Sequence, residues 1–131
     1  MPQQPVELIL LRQLASYLTV PVFLAGEDEN LLYYNEAAEA LLGREFEEVG
    51  ELPLAKLSDV FGITAEDGSP LPPEAIPLGI ALRKQRPAHL RVKFKALDGI
   101  ERHIEVTAFP LGGRGDRHLG AVAIFWEIDK P

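Results

Sequence analysis

The sequence of 131 residues predicts one α+β domain, an antiparallel sheet with small helices on one face and an N-terminal helix on the other. Three observations lead to this prediction. Residues 5–18 have the apolar period of a helix, and short β-forming runs alternate with glycine and proline as far as residue 87. The last third changes to a period of two. Two separated groups of strands must then join in one sheet.

The composition of the chain argues against several classes of function. Hydrophobic residues make up 47% of the chain and charged residues 25%, an ordinary globular balance. There is no cysteine, which excludes a disulfide framework, a cysteine nucleophile and a cysteinyl adduct. The net charge of -7 repels phosphate backbones, so nucleic acid is not an expected partner. No signal peptide and no apolar run near the ~18 residues of a membrane span is found, so we expect a cytoplasmic protein without membrane contact.

The first segment, residues 1–19, reads as an amphipathic helix ahead of a domain at 20–131. At 100° per residue its apolar side chains share an arc of about 200°, wider than the ~100° stripe that packing on one surface needs. Two interpretations remain open. The helix is either wedged deeply into its own domain or shared between its own sheet and a second subunit. In the second case the chain is a homodimer, with an interface formed by Leu8, Leu11, Leu14, Ala15 and Leu18.

Between this helix and residue 87 the sequence predicts a hairpin and several short helices. Residues 20–25 and 30–34 are the strands of the hairpin. Asn35 caps the next helix, and Gly43 supplies the left-handed stop. Further helical segments are predicted at residues 54–61 and 77–85.

The C-terminal third predicts three antiparallel strands, which brings the total to five. Residues 89–97 and 102–109 alternate between apolar and polar side chains, and residues 119–128 are apolar on both faces, as in a central strand. Because the apolar faces must coincide, Phe94 is expected opposite Ile104. The same register pairs Val92 with Val106 and Lys93 with Glu105, and it leaves Asp98-Gly99-Ile100 as a loop.

Several short motifs carry a family resemblance when they are taken in order. They are Val20-Pro21-Val22-Phe23-Leu24, Leu31-Leu32-Tyr33-Tyr34-Asn35, Ala37-Ala38, Leu41-Leu42-Gly43, Asp67-Gly68, Pro77-Leu78, Asp98-Gly99 and Gly120-Ala121-Val122. Together they cover nearly all of residues 20–129. The chain resembles the PAS, or S-box, family of signalling domains.

The resemblance implies a five-stranded antiparallel sheet whose one face, with the small helices, encloses a pocket. Members of the family hold flavin, haem, a metabolite or nothing there. The implied function is a sensor and protein-interaction module, as in two-component signalling and transcription regulation, with a small-molecule ligand and a signalling protein as partners. The expected pocket residues are Leu42, Phe61, Leu78, Leu82, Val92, Phe94, Ile104, Val106, Val122 and Ile124.

The sequence does not support a flavin with a cysteinyl adduct or a haem with a histidine ligand. The light-sensing branch uses a cysteine to attack the flavin, and this chain has none. The haem-binding branch commonly uses a histidine on the helix before the third strand, and residues 77–85 contain none. His89, His103 and His118 lack ligand spacing, so no metal site is expected and the cofactor stays unknown.

Other readings stay open beside the sensory one. A cone-shaped α+β enzyme would need a buried carboxylate, for which Glu105 or Asp59 is the candidate. No nucleophile and base stand together in the sequence, so no catalytic residue is predicted. A ligand-free structural dimerisation domain is a third reading. The basic row of Arg91, Lys93 and Lys95 could bind an acidic partner or form a solvated face.

Overall fold

The computed structural model describes residues 6–95, 99–112, 115 and 117–128. Its strands are β1 (Val22–Gly26), β2 (Asn30–Tyr34), β3 (Leu52–Pro53), β4 (Ile63–Ala65), β5 (Ala88–Lys95), β6 (Glu101–Gly112) and β7 (His118–Ile128). They form one antiparallel sheet in the order β3-β2-β1-β7-β6-β5-β4. The sheet therefore has seven strands, and the predicted number of five is corrected. The two additional strands, β3 and β4, lie at its edges and are too short to show a period of two.

Five α-helices accompany the sheet in the described ranges. They are α1 (Val6–Tyr17), α2 (Glu36–Leu42), α3 (Phe46–Val49), α4 (Leu57–Phe61) and α5 (Pro77–Lys84), with 3-10 turns at Leu54–Lys56 and Pro73–Ala75. The capping signals act as expected at α2. The Asn35 side chain accepts a hydrogen bond from the Ala38 N–H, and Gly43 ends the helix at a φ of 77°.

The sheet separates two apolar layers. The larger layer joins the inner face of the sheet to α2, α4 and α5 and contains Phe23, Tyr34 and Phe94. The smaller layer lies on the outer face, where Leu8 and Ala15 of α1 pack with residues of β1, β2 and β7. The N-terminal helix and the short helices therefore lie on opposite faces.

The pairing of β5 with β6 differs from the predicted register by two residues. Val92 lies opposite Ile104, not Val106, and Phe94 lies opposite Arg102, not Ile104. Glu105 is paired with Arg91, not with Lys93. A shift of two residues leaves every side chain on its predicted face, so matching the apolar faces could not distinguish the two registers.

Lys95 and Glu101 form the last pair of this hairpin, so the connection comprises residues 96–100 and not the predicted three. The predicted strand residue Ala96 and the turn residue Asp98 lie outside the described residues.

Candidate functional site

A small apolar cavity lies between the inner face of the sheet and the short helices. Its volume is about 40 Å³. The strands supply its floor and α5, with the residue before it, supplies much of its roof. The lining residues are Phe23, Leu42, Leu57, Ile63, Ile76, Pro77, Leu78, Val92, Ile104, Val106, Ala123 and Phe125.

The predicted pocket residues divide into three groups. Those that line the cavity are Leu42, Leu78, Val92, Ile104 and Val106. Phe61, Leu82 and Phe94 are buried in the same apolar layer without lining it. Val122 and Ile124 lie on the outer face of β7, beside the residues that pack on α1. The prediction is therefore corrected at Val122 and Ile124, which cannot reach the cavity.

Ala123 and Phe125 line the cavity instead of Val122 and Ile124, their predicted neighbours on β7. Both faces of β7 are apolar, so alternation along this strand does not reveal which residues point inward. Phe125 is paired with Val106, and directly opposite residues share a face, so this pairing shows that Phe125 points inward. Phe23 on β1, another lining residue that the sequence analysis missed, poses the same problem because all of β1 is buried.

The chemistry of this cavity does not fit a flavin or a haem. All of its lining side chains are apolar, so the ring nitrogens and carbonyls of a flavin would be buried without hydrogen-bond partners. No lining residue can serve as an axial ligand to haem iron. An apolar space of this size stays dry, and it is smaller than the roughly 150 Å³ of an engineered cavity that binds benzene.

The structure places neither candidate carboxylate in an apolar pocket. Asp59 is exposed. Glu105 lies on the outer face of β6, where its carboxylate is 2.6 Å from His89 Nε2 and 4.0 Å from Arg91 Nε. A partnered carboxylate on the outer face is the opposite of what the enzyme reading requires, so that reading is not supported.

His89 also contacts Thr107, which gives a hydroxyl, an imidazole and a carboxylate in a row. The distance from His89 Nδ1 to Thr107 Oγ1 is 2.7 Å. Acyl-transfer chemistry needs, in addition, donors aimed at the developing oxyanion. Strands β5 and β7 pair along β6 on both sides, so the nearby backbone N–H groups belong to the sheet ladder. This row is therefore a cross-strand polar contact.

The basic row on β5 meets acidic side chains from β6. Lys93 Nζ lies 3.6 Å from Glu101 Oε1, and Arg91 approaches Glu105. These contacts favour a solvated sheet face over a site for an acidic partner. Within the described ranges, His, Asp and Glu side chains form no group of three or more that could hold a metal ion. The helices described are all too short or too polar to cross a membrane.

The predicted dimer residues of α1 are divided between its two sides. Leu8 and Ala15 are buried against the sheet of their own domain, so these two are not available to a partner, whereas Leu11 beside them is only partly buried. Leu14 and Leu18 remain exposed. The predicted interface is thus corrected at Leu8 and Ala15.

The exposed side of α1 carries an apolar stripe, formed by Val6, Leu10, Leu14 and Tyr17. Their exposed fractions are 63%, 58%, 54% and 75%. At 100° per residue these side chains fall within an arc of about 80°. Phe109 and Trp126 are also more than a third exposed, and both lie on the α1 side of the sheet. Large exposed apolar groups are thus concentrated on one face of the molecule.

Asn35 holds the end of α1 against the sheet. Its Nδ2 donates to the carbonyl oxygens of Ala15 and Val20, each at 2.9 Å. Its Oδ1 accepts from the N–H groups of Val22 and Ala38, each at 3.1 Å. One buried amide therefore connects the first helix, the following linker, β1 and α2.

Comparison with known proteins agrees with this architecture. The family model described as PAS domain matches residues 19–129. No curated protein sequence matches the chain.

Three solved structures illustrate the similarity. The Rhodobacter sphaeroides LOV protein has a TM-score of 0.73 and 13% identity, covering 96% of this chain and 70% of that one. The PAS domain of Bordetella pertussis BvgS has a TM-score of 0.69 and 17% identity, with coverages of 96% and 89%. The LOV domain of a blue-light activated histidine kinase from Erythrobacter litoralis has a TM-score of 0.64 and 20% identity, with coverages of 86% and 99%. At these identities the similarity shows the fold alone.

Proposed function

Because the chain belongs to the PAS domain family, we propose that it is a signal-transduction module that acts by protein interaction, and that its first partner is a second copy of itself. The observation that carries the proposal is the apolar stripe of α1. A soluble domain exposes single apolar side chains without consequence, but a contiguous patch of them indicates a contact surface.

The order of residues along the stripe suits a two-fold contact. Val6, Leu10, Leu14 and Tyr17 are spaced nearly evenly about a point close to residue 12. If two such helices run antiparallel, Val6 lies beside Tyr17 of the second copy and Leu10 beside Leu14. A two-fold interface needs this kind of self-complementary surface.

The expected affinity is modest. Full burial of such a side chain contributes about 1.5–3 kcal/mol, and these are already partly covered. Four from each copy then supply on the order of 8 kcal/mol, against an association cost of about 4–15 kcal/mol. Contacts with Phe109 and Trp126 are needed in addition, and we expect a Kd no tighter than about micromolar.

Substitution of one stripe residue tests the proposal. Sedimentation equilibrium over a wide concentration range should show the wild-type chain as a dimer at high concentration and Leu14→Glu as a monomer. Ser16→Glu is the matched control, because it adds the same charge to an exposed position of α1 outside the stripe. Equal masses for Leu14→Glu and wild type would remove the stripe from this role. Removal of residues 1–18 is a poorer test, since it would expose the outer apolar layer.

The sensory part of the proposal concerns the core cavity of about 40 Å³, which we propose admits only apolar ligands smaller than benzene. Native mass spectrometry of the purified protein should therefore show no flavin or haem. Leu78→Ala should enlarge the cavity enough for benzene to bind, seen as saturable shifts in amide resonances that wild type does not show. A flavin or haem retained by the wild-type protein would contradict this part.

Two-component signalling is the context we propose. It is supported by fold similarity to a domain of a histidine kinase, and the output partner would then be a signalling protein. In keeping with a sensory module, no catalytic residue is proposed.

A further inference from the structure

We propose that Arg12 and the aromatic side chains behind it couple the packing of Phe23, on the sheet wall of the core cavity, to the position of α1 on the sheet. This inference rests on the proposed function, in which α1 is the element that meets a partner. It adds a positioning residue on α1 and a physical route from the cavity to that residue.

Arg12 lies on the side of α1 away from Leu14. Its guanidinium carbon is 4.5 Å from the centroid of the Tyr33 ring and 5.8 Å from that of Phe46. A cation over an aromatic face is directional, unlike the aliphatic contacts of Leu8 and Ala15. Arg12 therefore fixes the rotation of the helix, and with it the direction in which the apolar stripe points.

The ring of Phe46 continues the contact into the core. Its centroid is 5.5 Å from that of Tyr33 and 5.3 Å from that of Tyr34, both nearly edge to face. These geometries are favourable for aromatic pairs. Phe46 thus joins the outer residue Tyr33 to the buried residue Tyr34.

Tyr34 connects this pair to the cavity wall. Its ring centroid is 5.4 Å from that of Phe23, which in turn is 4.9 Å from Phe125. Phe23 and Phe125 both line the cavity. The Tyr34 hydroxyl donates to the carbonyl of Arg44 at 3.0 Å, which restrains the ring. A change in volume at Phe23 is therefore passed along this row of rings.

A second contact, beside that of Arg12, joins the end of β2 to α1. Tyr33, Tyr34 and Asn35 are consecutive, and Asn35 holds the Ala15 carbonyl of α1. A displacement at the end of β2 consequently reaches the helix at both Arg12 and Ala15. In the described ranges none of the aromatic pairs involves a residue of α5, the helix that carries Leu78 on the opposite wall of the cavity.

Amide hydrogen exchange of the full chain tests the coupling. Phe23→Leu should lower the protection of α1 amides roughly fivefold or more relative to β6 amides, whereas Leu78→Ala on the opposite wall should leave this ratio within about twofold. In an Arg12→Met background, which retains most of the aliphatic stem, Phe23→Leu should change the ratio by less than about twofold. If Phe23→Leu unfolds the domain, Phe125→Leu replaces it in the same comparison.

Two outcomes would overturn the inference. One is an equal loss of α1 protection in Phe23→Leu and Leu78→Ala, and the other is an undiminished effect of Phe23→Leu in the Arg12→Met background. The coupling lies within one chain, so it is measured at a concentration at which sedimentation finds monomers. Failure of the dimer proposal and failure of this coupling are thereby distinguished.

Discussion

Asn35 makes more hydrogen bonds than its role as a helix cap predicts. The side-chain amide has two donor hydrogens and two acceptor lone pairs, and all four are used in a fully buried environment. The sequence indicated the contact with Ala38, because Asn before a helix is a cap signal. It could not indicate the contacts with Ala15 and Val20, which depend on the position of α1 in three dimensions.

Asn35→Asp tests this residue with little change of shape. The carboxylate would face the carbonyls of Ala15 and Val20 with no hydrogen to donate, so the free energy of unfolding should fall by about 3 kcal/mol or more at pH 7. Burial raises the pKa of such a carboxyl, and its protonated form can donate once. The loss should therefore shrink as the pH falls. Urea unfolding at pH 7 and pH 4 measures it, and wild-type stability at both values would contradict the account.

Gly120 is required by the close approach of two strands. Its φ is 147°, and a Cβ built there would lie 2.1 Å from the Ala25 carbonyl oxygen, a backbone atom that cannot move aside. Gly120→Ala should therefore lower the free energy of unfolding by roughly 3 kcal/mol or more. Gly112→Ala is the matched control, since the nearest atom there is 3.9 Å away. Similar urea midpoints for the two variants would show that the strands separate without cost.

Arg83 joins α5 to the turn between β1 and β2. Its Nε and Nη2 lie 3.0 and 2.8 Å from the two carboxylate oxygens of Glu29. This hydrogen-bonded pairing holds the pKa of Glu29 below its usual value. The pair is half exposed, so Arg83→Met should cost no more than about 1 kcal/mol.

The pH dependence of that cost follows from the lowered pKa. Stabilisation from a carboxylate with a depressed pKa is present above its unfolded value, near 4.5, and is lost as the pH falls through the folded value. Thermal unfolding should thus show a difference between wild type and Arg83→Met at pH 7 that shrinks as the pH is lowered from 4.5 towards about 3. An equal difference at both pH values would mean that the guanidinium acts through packing instead.

For the helices and strands, the period of the apolar side chains is the most informative feature of the sequence. The alternation of β5 and β6 identified their inner faces correctly, because each strand has one polar side. In β7 both sides are apolar, so Val122 and Ile124 could not be told from Ala123 and Phe125 before the sheet was assembled. The wide apolar arc of α1 likewise left open whether the helix is buried in its own domain or shared with a second subunit, and it did not show which side chains face the sheet.

For the whole molecule, the distribution of exposed apolar surface supports the proposed function. The inner layer is nearly filled and leaves a cavity of about 40 Å³. The outer face, by contrast, presents the stripe of α1 together with Phe109 and Trp126. Because the burial of apolar area drives association, covering the outer face gains more free energy than filling the cavity. The fold class was predictable from the order of motifs, whereas this imbalance required the structure.

The proposed contact between two copies through α1 can be measured as a distance between spin labels. Wild type contains no cysteine, so Gln13→Cys provides a single labelling site beside the stripe, and Glu47→Cys provides a control on α3. Axes of packed helices lie about 8–10 Å apart, so we predict a label separation of roughly 20 Å at position 13 and a longer one at position 47. Absence of a short distance at position 13, at concentrations where sedimentation shows a dimer, would contradict the account.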